Sequence, residues 1–172
     1  MTLIAVISLS LAGMFAKTIA ATHAARYQTA TATLAEQKLE QLRALTWGFD
    51  QSGQNLPVTD TTTNLTPAIP TNDGNGLNPS PAGTLDANTA GYVDYLNDAG
   101  AWAGTGTTPP PTATYIRRWS IQPLPTNPNN TLILQVLVTT VKREANLQLG
   151  GAPRRRYPED ALVATVKTRK AN

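Results

Sequence analysis

Hydrophobic and polar positions change rhythm twice along this chain. The first sixteen residues, MTLIAVISLSLAGMFA, are apolar on every side and carry no charge. At about 1.5 Å per residue a helix through them covers roughly 24 Å. A bilayer core needs about 20 apolar residues, so the run is slightly short unless Lys17 snorkels and Thr18 to Ala25 extend it. The helical pattern continues into HAARYQTATATLAEQKLEQLRAL, His23 to Leu45, which is rich in strong helix formers. There Leu34, Ala35, Leu39, Leu42 and Leu45 recur at spacings of three and four and form one apolar stripe. Glu36 to Glu40, with Gln37 and Arg43, are read as the wetter side. Proline is absent from residues 1–56, and Gly48 follows Trp47 as a C-terminal stop. One helix from about Thr2 to Leu45 is therefore expected, roughly 65 Å long. Its first part is apolar all round, and its last part is built to lie on a head.

The pattern then loses its period. Residues 52–113 hold eight of the thirteen prolines and eight of the twelve glycines, set among Thr, Asn and Asp. Such a stretch buries too little apolar area to order itself, so irregular structure draped on the head is expected. GYVDYLNDAGAW, Gly91 to Trp102, is the exception. Tyr92, Val93, Tyr95, Leu96 and Trp102 are candidate anchors, in a strand or a short helix.

Period-two alternation appears only late. Tyr115 to Gln122 sets Tyr115, Trp119 and Ile121 against Arg118, Ser120 and Gln122, with Arg117 on the aromatic face. Asn127 to Asn130 supplies turn chemistry. Leu132 to Lys142 is β-branched and nearly continuous, which suits a central strand, and Leu162 to Thr168 reads as the last one. The segment between them, EANLQLGGAPRRRYPED, reads as a loop with a basic tip. The expected fold is α+β: a long N-terminal helix packed on a small antiparallel sheet of three strands, with a long irregular insertion. The chain divides accordingly into 1–47 (1–25 apolar, 26–47 on the head), 48–113 and 114–172.

Composition narrows the chemistry. The chain has 172 residues and no cysteine, which excludes disulfides, thiolate metal sites and thiol nucleophiles. His23 is the single histidine, so a multi-histidine metal site is excluded. A serine triad needs a histidine beside its serine, and His23 lies on the apolar rod, so no enzyme activity is expected. Asn72-Asp73-Gly74-Asn75-Gly76 has part of a calcium-loop pattern without the terminal Glu and reads as a turn. No catalytic residue, metal or cofactor is assigned. The net charge of +3 is too small to mark a nucleic-acid binder. It divides unevenly: residues 52–113 carry five aspartates and no basic side chain, whereas 114–172 carry ten basic and three acidic residues. Arg154, Arg155 and Arg156, with Asp94 and Asp98, are the candidate charge contacts between subunits.

This layout resembles the type IV pilins and pseudopilins. The resemblance rests on MTLIAVISLSLAG at the N-terminus, LAEQKLEQLRAL at the end of the long helix and the three late strands. It is detailed over 1–47, looser over 114–169 and absent over 52–113. The strands look most like those of V-type minor pilins and I-type pseudopilins. The resemblance implies a processed chain beginning at Met1, with an N-methylated amine, made by a prepilin peptidase. It implies residence in the inner membrane, then transfer by assembly machinery into an extracellular filament of identical subunits on a bacterial surface. Leu3, Ile4, Val6, Ile7, Leu9, Leu11 and Phe15 would pack the filament core, and Leu34, Ala35, Leu39, Leu42 and Leu45 would hold the head. Position 5 is Ala where the family pattern has Glu, and in the family that absence is commonest in tip subunits. A shaft subunit, a minor, tip or priming subunit and a single-span membrane-tethered adhesin are thus the functional alternatives.

Overall fold

The computed structural model of the chain describes residues 2–49, 57–59, 76–150 and 156–170; the side chains of 2–10, 12, 57–59 and 146–150 lie outside that description. One helix, α1 (Thr2–Ala44), opens the chain. Gly13 sits inside it where an added Cβ would meet nothing. Strands β1 (Trp47–Phe49) and β2 (Pro57–Thr59) pair antiparallel after it.

The main sheet has five strands among the described residues: β3 (Val93–Leu96), β4 (Trp102–Thr105), β5 (Tyr115–Pro123), β6 (Thr131–Thr140) and β7 (Ala161–Thr168). Their spatial order is β4-β3-β5-β6-β7, and every neighbouring pair is antiparallel. The fold is therefore α+β. The three-strand sheet expected from alternation is corrected to five. The two additional strands come from the polar stretch, where each is only four residues long. At that length alternation has no room to show itself, and β3 is buried at every position. A second correction concerns the segment after β6. It is not a loop throughout: the helix α2 (Val141–Gly150) begins directly where β6 ends. Its sequence, VKREANLQLG, is dominated by good helix formers. The shift from β-branched to straight-chain residues marks that boundary.

The hydrophobic core lies between α1 and the sheet. Leu34, Ala35, Leu39, Leu42 and Leu45 from the helix side meet Trp119 and Ile121 of β5 and Leu132, Leu134, Val136 and Val138 of β6, all buried. Register explains the pairing, because Ile121 lies opposite Leu134 and Trp119 opposite Val136, so each pair shares one face. The other face carries a smaller cluster of Val93, Tyr95 and Ile116. β5 is buried at seven successive positions, which means both of its faces are covered. Residues 77–92 help cover it: Ser80 N donates to Ile121 O at 2.8 Å, and the Tyr92 hydroxyl donates to Asn78 O at 3.1 Å.

A clasp fixes the exit of α1. Lys170 N donates to Trp47 O at 2.9 Å, and Arg169 donates to Gly48 O at 3.0 Å. The Arg169 guanidinium lies 3.8 Å from the centroid of the Trp47 ring, a cation–π contact. The C-terminal end of the sheet is thereby tied to the first residues after the helix.

Candidate assembly surface

Two features stand out on α1: an outer stretch with no protein packed on it, and a charged seam under its inner end. The helix reaches the head at Tyr27, whose ring meets that of Tyr115 with centroids 6.4 Å apart, and Thr31 is the first buried residue along it among those described. Before that point Leu11 is 53%, Met14 68%, Phe15 62% and Ile19 58% exposed. These are large apolar side chains that a folded monomer leaves in water. Threonine hydroxyls along one side of α1, from this stretch onward, are turned inward. The hydroxyls of Thr18, Thr22, Thr29 and Thr33 donate to the carbonyls of Met14, Thr18, Ala25 and Thr29, at 2.9 to 3.0 Å. A hydroxyl bonded to its own helix needs no water and presents its methyl group outward. At 3.6 residues per turn these threonines fall within about 60° of arc, along one side. The surface of this stretch is accordingly more apolar than its composition indicates.

Of the residues assigned to core packing, Leu11 and Phe15 lie on this exposed stretch. Leu3, Ile4, Val6, Ile7 and Leu9 are in α1, but their side chains lie outside the described residues, as does Met1 entirely. Among the described residues no helix is long and apolar enough to cross a membrane. None of their His, Asp and Glu side chains form a group of three that could hold a metal ion. Arg154, Arg155 and the residues Asn72 to Asn75 also lie outside the description.

The seam corrects two readings of charge. Asp94, expected as a surface contact, is fully buried, and Lys38, expected on the wet side of the helix, is fully buried too. They form an ion pair at 3.3 Å. Arg117 completes the group, donating from Nε to Asp94 Oδ1 and from Nη2 to Oδ2, each at 2.8 Å. Register sets this up, since Asp94 on β3 lies directly opposite Arg117 on β5. Arg117 also donates to Leu34 O at 3.4 Å, so it reaches the helix backbone. The Lys38 ammonium sits 3.9 Å above the Trp119 ring. The Trp119 indole N–H has no acceptor among the described residues. The aromatic face thus helps hold a cation from which water is excluded.

Burial dominates the protonation of Lys38. It lowers the pKa from 10.5 to about 8, with Arg117 adding to the fall and Asp94 opposing it. For Asp94 burial pushes the other way, but Lys38 and Arg117 together outweigh it and hold the carboxyl below its usual range. The group is one carboxylate between two cations. The carboxylate, kept ionised, clamps the helix to the sheet electrostatically.

A second buried pair lies on the opposite face. Arg118 meets Glu144 of α2 at 3.1 Å and donates to Asn88 Oδ1 at 2.7 Å. It joins α2, the sheet and the 77–92 segment. Asp98 and Arg156 are exposed, Asp98 on the turn between β3 and β4 and Arg156 just before β7. The seam was visible in part: Lys38 stands three residues after Ala35 and four before Leu42, on the apolar stripe itself. Its charge type hid it.

No protein-family model, no curated protein and no solved structure matches this chain.

Proposed function

We propose that this chain is a structural subunit of a type IV pilus-like extracellular filament that polymerises through its N-terminal helix. One observation carries the reading: α1 continues well beyond its head with Leu11, Met14, Phe15 and Ile19 each more than half exposed. Leaving a large apolar side chain in water forgoes about 1.5–3 kcal/mol. Several on one rod therefore favour a partner. A bilayer and a bundle of like helices are both apolar solvents for it. The self-bonded threonines support close helix contact, because they bring no unmet donor into such a bundle. The uncharged run at 1–16 and its resemblance to pilin N-termini point the same way. In this reading the chain waits in the inner membrane, assembly machinery transfers it, and heads form the outer layer of the polymer.

A specific residue favours a second role within the same system. Ala5 cannot accept a neighbour's terminal ammonium as a Glu would, which fits a minor, tip or priming subunit. Antibody to the head separates the two: label along the shaft identifies a shaft subunit, and label confined to ends identifies a tip subunit.

The test of the main reading is the double variant Leu11→Asp, Phe15→Asp in the full chain. The head should melt as in the unaltered protein, because neither residue touches its core, while filaments in sheared surface material disappear. Filament yield equal to that of the unaltered chain would refute the proposal. A protein that stays monomeric in detergent and never reaches the sheared fraction would favour a membrane-tethered adhesin.

A further inference from the structure

The exposed charges along α1 change sign with position. Arg26 is exposed where α1 meets the head, one residue before Tyr27, and Lys17 adds a second exposed cation further out. Among the described residues neither forms an ion pair. Nearer the C-terminal end Glu36 is exposed and likewise without an ion pair. Glu40 pairs with Arg43 at 2.9 Å, with both side chains more than half exposed, a pair easily exchanged. Asp98 and Arg26 both act on the Tyr115 hydroxyl but do not pair with each other. At 3.6 residues per turn Arg26, Glu36 and Glu40 fall within about 80° of arc, on the side of α1 turned away from Leu34, Lys38 and Leu45.

This placement has a consequence for two parallel copies. In register, Arg26 faces Arg26 and Glu36 faces Glu36, and like charges repel. Displaced along the axis by ten to fourteen residues, roughly 15–21 Å, Arg26 of one copy lies beside Glu36 and Glu40 of the other. We propose that these residues set the stagger of the polymer, Arg26 of each subunit meeting Glu36 and Glu40 of a parallel second copy displaced along α1. The inference rests on the filament reading and adds the contact that selects its register. Exposed ion pairs are weak singly, so apolar contact supplies the adhesion and charge supplies the selection. The contact is also heterologous. Each added copy leaves Arg26 free at one end and Glu36 free at the other, so growth continues rather than closing.

The experiment uses full-length protein purified in detergent, with filaments counted by negative-stain electron microscopy after detergent removal at low salt. Arg26→Glu alone, and Glu36→Lys with Glu40→Lys, should each lower filament yield by about tenfold or more, with the loss shrinking as salt screens the charges. All three changes together should restore it, because the complementarity is rebuilt with reversed sign. Unchanged melting of each variant shows that the head is intact. Filaments indifferent to the half-reversals, or no rescue in the combined variant, overturn the stagger contact while leaving the filament reading in place. If the unaltered protein forms no filaments at all, both fall.

Discussion

Lys38 on α1 and Asp94 on β3 meet at 3.3 Å with neither side chain exposed. This is the one ion pair among the described residues that joins the long helix to the sheet. Fifty-six positions separate the two in sequence. Apolar packing alone tolerates small slides and rotations of a helix, whereas a buried charge fits only where its counter-charge stands.

The two ends of that pair should behave differently on removal. Asp94→Ala leaves Lys38 and Arg117 buried as like charges, at an expected cost of about 3–5 kcal/mol. Lys38→Met keeps the two-bonded Asp94–Arg117 pair and replaces a buried ammonium with an apolar chain of similar length. It should be neutral or stabilise by about 1 kcal/mol or more. Urea denaturation of the purified variants compares them, and equal losses would refute the assignment.

Mild alkali should stabilise the head through Lys38. Folded Lys38 loses its proton near pH 8, whereas the unfolded side chain keeps it to about 10.5. Between those values the unfolded state binds more protons, so stability climbs with pH, by roughly 3 kcal/mol across the window. Below pH 8 the contribution is flat. The readout is the difference in unfolding free energy between the unaltered chain and Lys38→Met from pH 7 to 11, and a constant difference would contradict the prediction.

Glu144→Ala should loosen α2. Arg118 is buried beside Glu144, and without that carboxylate it keeps Asn88 but no counter-charge. A loss of about 3 kcal/mol is expected. Hydrogen exchange should rise first in α2 amides, while α1 amides near Leu42 stay protected.

Gly100→Ala should also destabilise. Gly100 has φ +76°, and an added Cβ would stand 3.2 Å from Leu34 Cδ2 in the core. Left-handed backbone and crowding together should lower stability by about 1–2 kcal/mol. Thermal unfolding checks it. Gly83→Ala, at a similar φ of +76° with open space around it, should cost less.

The helix α1 and its apolar stripe were legible because helix formation and one-sided packing are local and periodic. A stripe at spacings of three and four states both that a helix forms and which side is buried, and it identified Leu34, Ala35, Leu39, Leu42 and Leu45. The long strands β5, β6 and β7 were legible because each runs over eight or more residues, β5 by alternation and β6 by a nearly continuous β-branched run. The uncharged run at the start of α1 was readable from sequence alone, whereas the inward turn of the Thr18 and Thr22 hydroxyls was not.

What the tertiary structure decided was the fate of short elements and of charge. β3 exists because β5 offers it an edge, and β4 because β3 offers the next one; four residues carry no period of their own. Lys38, Asp94, Arg117, Arg118 and Glu144 are buried because strand register and helix placement bring opposite charges together across long separations. A sequence states how strongly a charged side chain prefers water. Only the folded chain supplies the counter-charge that replaces it.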